Sequence, residues 1–144
     1  MSKHMTNSRN RPGRQPKIIL DQATVHRIEA LGQRLYQSNP TLADRLFGEL
    51  GRARLVSRDK LPANVVSLGR RVTYRDEATG EEKVVVLTSP EDADISQQRI
   101  SVLTPIGVAL LGLSEGAQFG WNDRTGATRS LTVLRVEAAE AVVI

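Results

Sequence analysis

The chain contains no cysteine, which excludes disulfides, zinc-thiolate centres and a thiol nucleophile. It has two histidines, His4 near the N-terminus and His26 in a helical stretch, so neither a His-ligated metal site nor a Ser-His-Asp set is indicated. Aromatic residues are equally sparse: Tyr36, Phe47, Tyr74, Phe119 and Trp121 are all there are, too few for a pocket lined by several rings. Long apolar runs are missing too. The longest nearly uncharged run, Ile100 to Leu113, falls short of the roughly 18 residues that a membrane span needs. No continuous apolar stretch with a small-residue cleavage site stands near the N-terminus, so no signal peptide is expected. The expected setting is a reducing cytoplasm, with no cofactor and no membrane association.

Acidic residues are absent from the first 17 positions, which hold Lys3, Arg9, Arg11, Arg14 and Lys17. Residues 18–60 carry seven basic and five acidic side chains, and residues 61–144 carry eight and eleven, so the net charge of +4 comes mainly from one end. Residues 1–16 are too poor in apolar groups to bury enough surface to order themselves, and a disordered basic leader is expected there. Arg9, Arg11, Arg14 and Lys17 are its candidates for weak contact with nucleic acid, through release of counterions from phosphates. At 144 residues the chain has room for one domain, or a small domain with an appended element.

From Asp21, a good helix cap, Val25, Ile28, Leu31 and Leu35 recur at spacings of three and four. Ser38-Asn39-Pro40 breaks the pattern, and Thr41 opens a second helix with Leu42, Leu46, Leu50 and Ala53 on one face. Thr41 and Asp44 have capping-box spacing. Two amphipathic helices across a three-residue break predict an antiparallel, coiled-coil-like hairpin over residues 17–56. Arms of about 14 to 17 residues would reach only about 21 to 26 Å. Gly32, Gly48 and Gly51 either weaken these helices by roughly 1 kcal/mol each or permit close contact between them.

Residues 57–63 read as a linker, after which the period becomes strand-like: Val65-Val66, Arg71 to Arg75, a turn at Thr79-Gly80, and Lys83 to Thr88. An acidic loop over Pro90 to Asp94 leads to a strand from Arg99 to Leu103. Thr104 is a helix N-cap, Pro105 suits the first helical position, and Gly112 suits the exit. Strands follow at Ala117 to Trp121 and Thr128 to Glu137, joined by a turn over residues 123–126. The fold class is α+β: a short helical hairpin, then an antiparallel sheet domain over residues 64–144 with one crossover helix.

Within that crossover stand Ser101, Thr104, Pro105, Ile106, Gly107, Ala109, Leu110, Leu111 and Gly112. This run resembles the C-terminal signature of the bacterial GreA/GreB transcription elongation factors, Ser-x-x-Ser-Pro-apolar-Gly-x-Ala-apolar-apolar-Gly, with Thr104 in place of the usual Ser. Further matches at Ile18-Ile19, Arg27-Ile28, Leu50, Arg52-Ala53, Ser57, Pro62, Val65-Val66, Val72 and Gly80-Glu81 make it most similar to the short subgroup of that family known as regulator of nucleoside diphosphate kinase. The resemblance covers about residues 17–137. It implies an N-terminal coiled coil, a C-terminal domain like the FK506-binding prolyl isomerases, and binding to RNA polymerase near its secondary channel.

In that family a long coiled coil carries an acidic pair at its tip that helps hold a catalytic Mg²⁺ for transcript cleavage, as a hard dication needing oxygen ligands requires. Here the hairpin is shorter and its tip, Gln37 to Thr41, has no acid; Asp44 is the nearest carboxylate. The tip candidates are therefore Ser38, Asn39, Pro40 and Asp44, with no cleavage activity expected. Carried over by position, the loop that grips the polymerase is Leu103, Thr104 and Pro105, with Leu103 standing where cleavage factors often place a polar residue. The three aromatic rings of the C-terminal half are too few for prolyl isomerase chemistry, and the chain is not expected to be an enzyme. The expectation is a monomeric, non-catalytic transcription regulator that modulates elongation or competes with cleavage factors. The alternative is a DNA- or RNA-binding module acting through the leader and the Arg52, Arg54, Arg58 stretch at the hairpin base.

Overall fold

The first helix starts where Asp21 ends the preceding strand. Its Oδ2 accepts a hydrogen bond from the Thr24 amide at 3.1 Å, satisfying one of the free donors of the first turn. The structure, a computed structural model, describes residues 16–123 and 125–138; Arg9, Arg11 and Arg14 lie outside the described residues. In chain order the elements are β1 (Ile19–Asp21), α1 (Gln22–Ser38), α2 (Pro40–Arg52), β2 (Arg54–Val56), β3 (Arg71–Asp76), β4 (Glu82–Thr88), β5 (Arg99–Ser101), α3 (Pro105–Leu110), β6 (Gln118–Asn122) and β7 (Thr128–Glu137).

α1 and α2 fold back on each other about Asn39. The expected capping box of Thr41 and Asp44 does not form. Asn39 is the cap, its side chain accepting from the Leu42 amide at 3.1 Å, and Pro40 takes the first helical position, where no donor is lost. Asp44 instead accepts from the Tyr36 hydroxyl at 3.2 Å, across the helix pair. The three helical glycines divide. A Cβ on Gly32 would sit 2.8 Å from Leu46 Cδ2 and 3.1 Å from the Phe47 ring, so this glycine lets the helices approach closely. Gly48 and Gly51 face open space. Leu31 is only half-buried, and buried Gly32 takes its place on the inner face.

Two short strands not expected from the sequence flank the helices. β1 and β2 pair in parallel, Ile19 opposite Arg54 and Asp21 opposite Val56. The expected linker carries a single 3₁₀ turn over Arg58–Lys60. Val65-Val66 forms no strand; Val65 makes one isolated bridge to Ser114.

The second sheet has strand order β5-β4-β3-β7-β6. Antiparallel pairing runs through β4, β3, β7 and β6 as expected, while β5 joins β4 in parallel. α3 connects β5 and β6, which lie at opposite edges, so it must cross the sheet. Alternation of buried and half-exposed residues in β3, β4 and β7 gives one inner face, Val72, Tyr74, Val85, Leu87, Leu131 and Val133, against which the buried Val108, Ala109 and Leu110 of α3 belong to a single core. That core also includes Ile18, Leu20, Val25, Ile28, Leu42, Leu46 and Leu50, so helix pair and sheet share it.

Asn39→Ala should cost about 1 kcal/mol in urea unfolding, against a change within about 0.5 kcal/mol for Thr41→Ala. Gly107→Ala should destabilise by about 1–3 kcal/mol, despite the gain in helix propensity. Its Cβ would stand 2.5 Å from the Ser101 carbonyl oxygen and 2.8 Å from Val102 backbone atoms, none of which can swing aside.

Candidate functional site

The N-terminus of α3 is built by a short relay of hydrogen bonds. The Ser101 hydroxyl accepts from the Leu103 amide at 2.9 Å, and the Thr104 hydroxyl donates to the Ser101 carbonyl at 2.8 Å while accepting from the Gly107 amide at 3.1 Å. These bonds fix the turn before the helix and leave Pro105 exposed at its start. Thr104 and Pro105 form one wall of an open cleft of about 800 Å³. The opposite wall is the turn between α1 and α2, with Ser38, Asn39, Pro40 and Thr41, continued by Arg45. The end of the β6–β7 pair closes the cleft with Trp121, Asn122, Asp123 and Arg129.

Five residues predicted from sequence are thereby brought together: Ser38, Asn39, Pro40, Thr104 and Pro105. Three others are placed elsewhere. Leu103 packs against the core and does not line the cleft, Asp44 is turned toward Tyr36, and exposed Lys17 precedes β1. At the hairpin base Arg52 is engaged by Glu49 at 2.7 Å and by the Pro16 carbonyl at 2.7 Å, whereas Arg54 and Arg58 are exposed.

The residues the sequence reading missed are those that give the cleft its charge. Trp121, only 7 % exposed, lies beneath two guanidinium groups: Arg45 Cζ is 5.4 Å and Arg129 Cζ 5.7 Å from the ring centroid. Such cation–π contacts contribute about 0.5–2 kcal/mol each, more as they are desolvated. Arg129 is also paired with Asp76 at 3.5 Å. Arg45 reaches from α2 to the Pro105 carbonyl at 3.3 Å, joining the two walls. Burial lowers the Arg45 pKa below its ordinary value, partly offset by the charge of Glu49. The turn at residues 123–126 carried a signal for one pairing, since it sets Trp121 directly opposite Arg129. Arg45 stands 60 residues from Pro105, and no local pattern marks that contact.

Asp123 organises the rim. Its Oδ1 accepts from the Thr125 hydroxyl at 2.6 Å, the Thr125 amide at 2.9 Å and the Ala127 amide at 3.1 Å. The bond from the Thr125 side chain is the main cause holding its pKa below the usual aspartate value, with the backbone bonds and Arg129 adding to it. A depressed pKa means that the stabilisation from these carboxylate bonds is fully present above the unfolded aspartate value, about 3.9, and is lost as pH falls through the folded value. NMR titration should therefore find the Asp123 midpoint below that of a free aspartate, and Thr125→Val should raise it.

Among the described residues no helix is long and apolar enough to cross a membrane. The family model described as "Transcription elongation factor, GreA/GreB, C-term" matches residues 61–138, more than half of the chain. The chain is 34% identical over 122 residues to the regulator of nucleoside diphosphate kinase of Escherichia coli K12, covering 85% of this chain and 90% of that protein. It is 35% identical over 85 residues to transcription elongation factor GreA of Brucella anthropi, of which it spans about half, 54%. A solved prokaryotic transcription elongation factor GreA/GreB from Nitrosomonas europaea superposes with a TM-score of 0.66 at 35% identity, covering 85% of this chain and 99% of that one. With α3 and its capped turn inside the matched segment, the chain belongs to the GreA/GreB family of transcription elongation factors.

Proposed function

We propose that this protein is a non-catalytic regulator that binds bacterial RNA polymerase near its secondary channel, through the face carrying Thr104 and Pro105. There it modulates elongation or competes with transcript-cleavage factors. The observation that carries this reading is the juxtaposition in one cleft of the capped turn before α3 with the tip of the helix pair. Pro105 is exposed and its turn is held by the Ser101–Thr104 bonds, as a preorganised contact requires.

The chemistry of the tip argues against cleavage. Assisting a catalytic Mg²⁺ needs uncommitted carboxylate oxygens at the end of the helix pair. Here the tip offers Ser38, Asn39 and Pro40, the Asn39 side-chain oxygen is taken by the Leu42 amide, and the nearest carboxylate, Asp44, sits within α2 beyond the turn, with one oxygen on the Tyr36 hydroxyl. A regulator that occupies the site without delivering carboxylates would slow or compete rather than cleave.

Binding of the full chain to core RNA polymerase, with a Gre-type cleavage factor as competitor, tests the reading. Saturable, competitor-displaced binding is expected, weakened at least about tenfold by Pro105→Glu, a loss of about 1.4 kcal/mol. Deleting residues 1–16 should leave it unchanged. Binding that instead disappears on that deletion and falls steeply with salt would favour nucleic-acid recognition through the basic leader.

A further inference from the structure

The cleft holds a cation with no ion-pair partner among the described residues. Arg45 is half-buried, yet its guanidinium, with five donors, makes one hydrogen bond, to the Pro105 carbonyl at 3.3 Å. Among the described residues no carboxylate lies within ion-pair distance of it. Glu49, whose charge favours the protonated form of Arg45, is itself bridged to Arg52 at 2.7 Å. The second guanidinium over Trp121 differs, because Arg129 already has Asp76. A partly desolvated charge with donors left to solvent gains when a partner replaces that water, and a planar guanidinium is best met by a carboxylate or a phosphate.

The surroundings distinguish between those two. Pro105 and Ile106 place apolar surface beside Arg45, and Asp123 puts a negative charge on the rim. With Arg129 already held by Asp76, Arg45 is the one guanidinium among the described lining residues left to pair, which suits a singly charged group carried between apolar neighbours; a phosphodiester chain would bring further charges with no second unpaired cation in that lining to meet them. We infer that the cleft takes a single Asp or Glu side chain of a protein partner, its carboxylate on Arg45 and an adjacent apolar residue on Pro105 and Ile106. This rests on the polymerase reading only for the identity of the partner: there, the contacting segment would present one carboxylate beside an apolar residue.

Trp121 is the sole tryptophan and forms the cleft floor, so its fluorescence reports occupancy without a label. The probes are a capped Leu-Glu-Leu peptide, its Leu-Gln-Leu counterpart, inorganic phosphate and a short RNA oligomer. The Glu peptide should give a saturable change, weakened about tenfold or more by Arg45→Gln and less by Arg45→Lys, which keeps the charge but not the fork. Equal responses to the Glu and Gln peptides, an unchanged response in Arg45→Gln, or tighter binding of phosphate or RNA would each overturn the inference. Matching circular dichroism of the variants controls for folding, and Arg45→Lys keeps the test valid should Arg45→Gln unfold. In parallel, wild type and Arg45→Gln are compared on core RNA polymerase. Equal polymerase binding by both sinks the inference and spares the polymerase reading, whereas peptide binding without polymerase binding does the reverse.

Discussion

The close backbone contact at Gly112 is the constraint on which the remaining architecture depends. Its φ of +83° is open to glycine and strained for other residues, and a Cβ there would stand 2.9 Å from Ile18 Cβ. In that conformation its carbonyl accepts from the Ile19 amide at 3.1 Å and its amide donates to the Val66 carbonyl at 3.0 Å, while the Val66 amide donates to the Leu113 carbonyl at 2.8 Å. One residue thus stitches the exit of α3 to the strand that opens the helix pair and to the segment that precedes β3. Because β1 leads into α1 and pairs with β2, which follows α2, both ends of the helix pair are anchored near this point.

The cleft is a consequence of that anchoring. With the base of the helix pair held at Gly112 and its inner face sharing the core, α2 passes beside the start of α3, and Arg45 spans the gap to Pro105. Gly32 permits the approach of α1 to Leu46 and Phe47 that sets the position of α2. The electrostatic character then follows from two strands and a helix: Trp121 and Arg129 face each other across the β6–β7 pair, and α2 supplies the second guanidinium. Cleft geometry and fold stability are coupled here, since Arg45 both lines the cleft and ties its walls together.

What the sequence made legible was local or periodic. The caps at Asp21 and Thr104, the alternation of Val72 and Tyr74, the turn at Thr79-Gly80 and the apolar stripe of Leu42, Leu46 and Leu50 each follow from a few neighbouring residues. The failures were cases where two local rules competed or where distance in sequence hid a contact. Asn39 and Thr41 are both competent caps; Pro40, which suits a first helical position, decided for Asn39. β1 and β2 have three residues each and exist through pairing between segments 35 positions apart, so neither shows a strand period of its own. Half of the cleft was visible, as the Thr104–Pro105 turn and the Ser38–Pro40 break. Its charge was not, because Arg45 reads as an ordinary polar position beside an apolar stripe.

Helix pair and sheet share one core beside the cleft and should therefore unfold as one body. Equilibrium urea unfolding followed by two probes tests this most directly. Far-ultraviolet circular dichroism is dominated by α1 and α2, which have 17 and 13 residues against 6 in α3, and the fluorescence of Trp121 reports the sheet side of the cleft. Coincident transitions with one midpoint are predicted. An earlier loss of helix signal, with Trp121 still in its native environment, would show that the helix pair detaches on its own and would contradict the shared core.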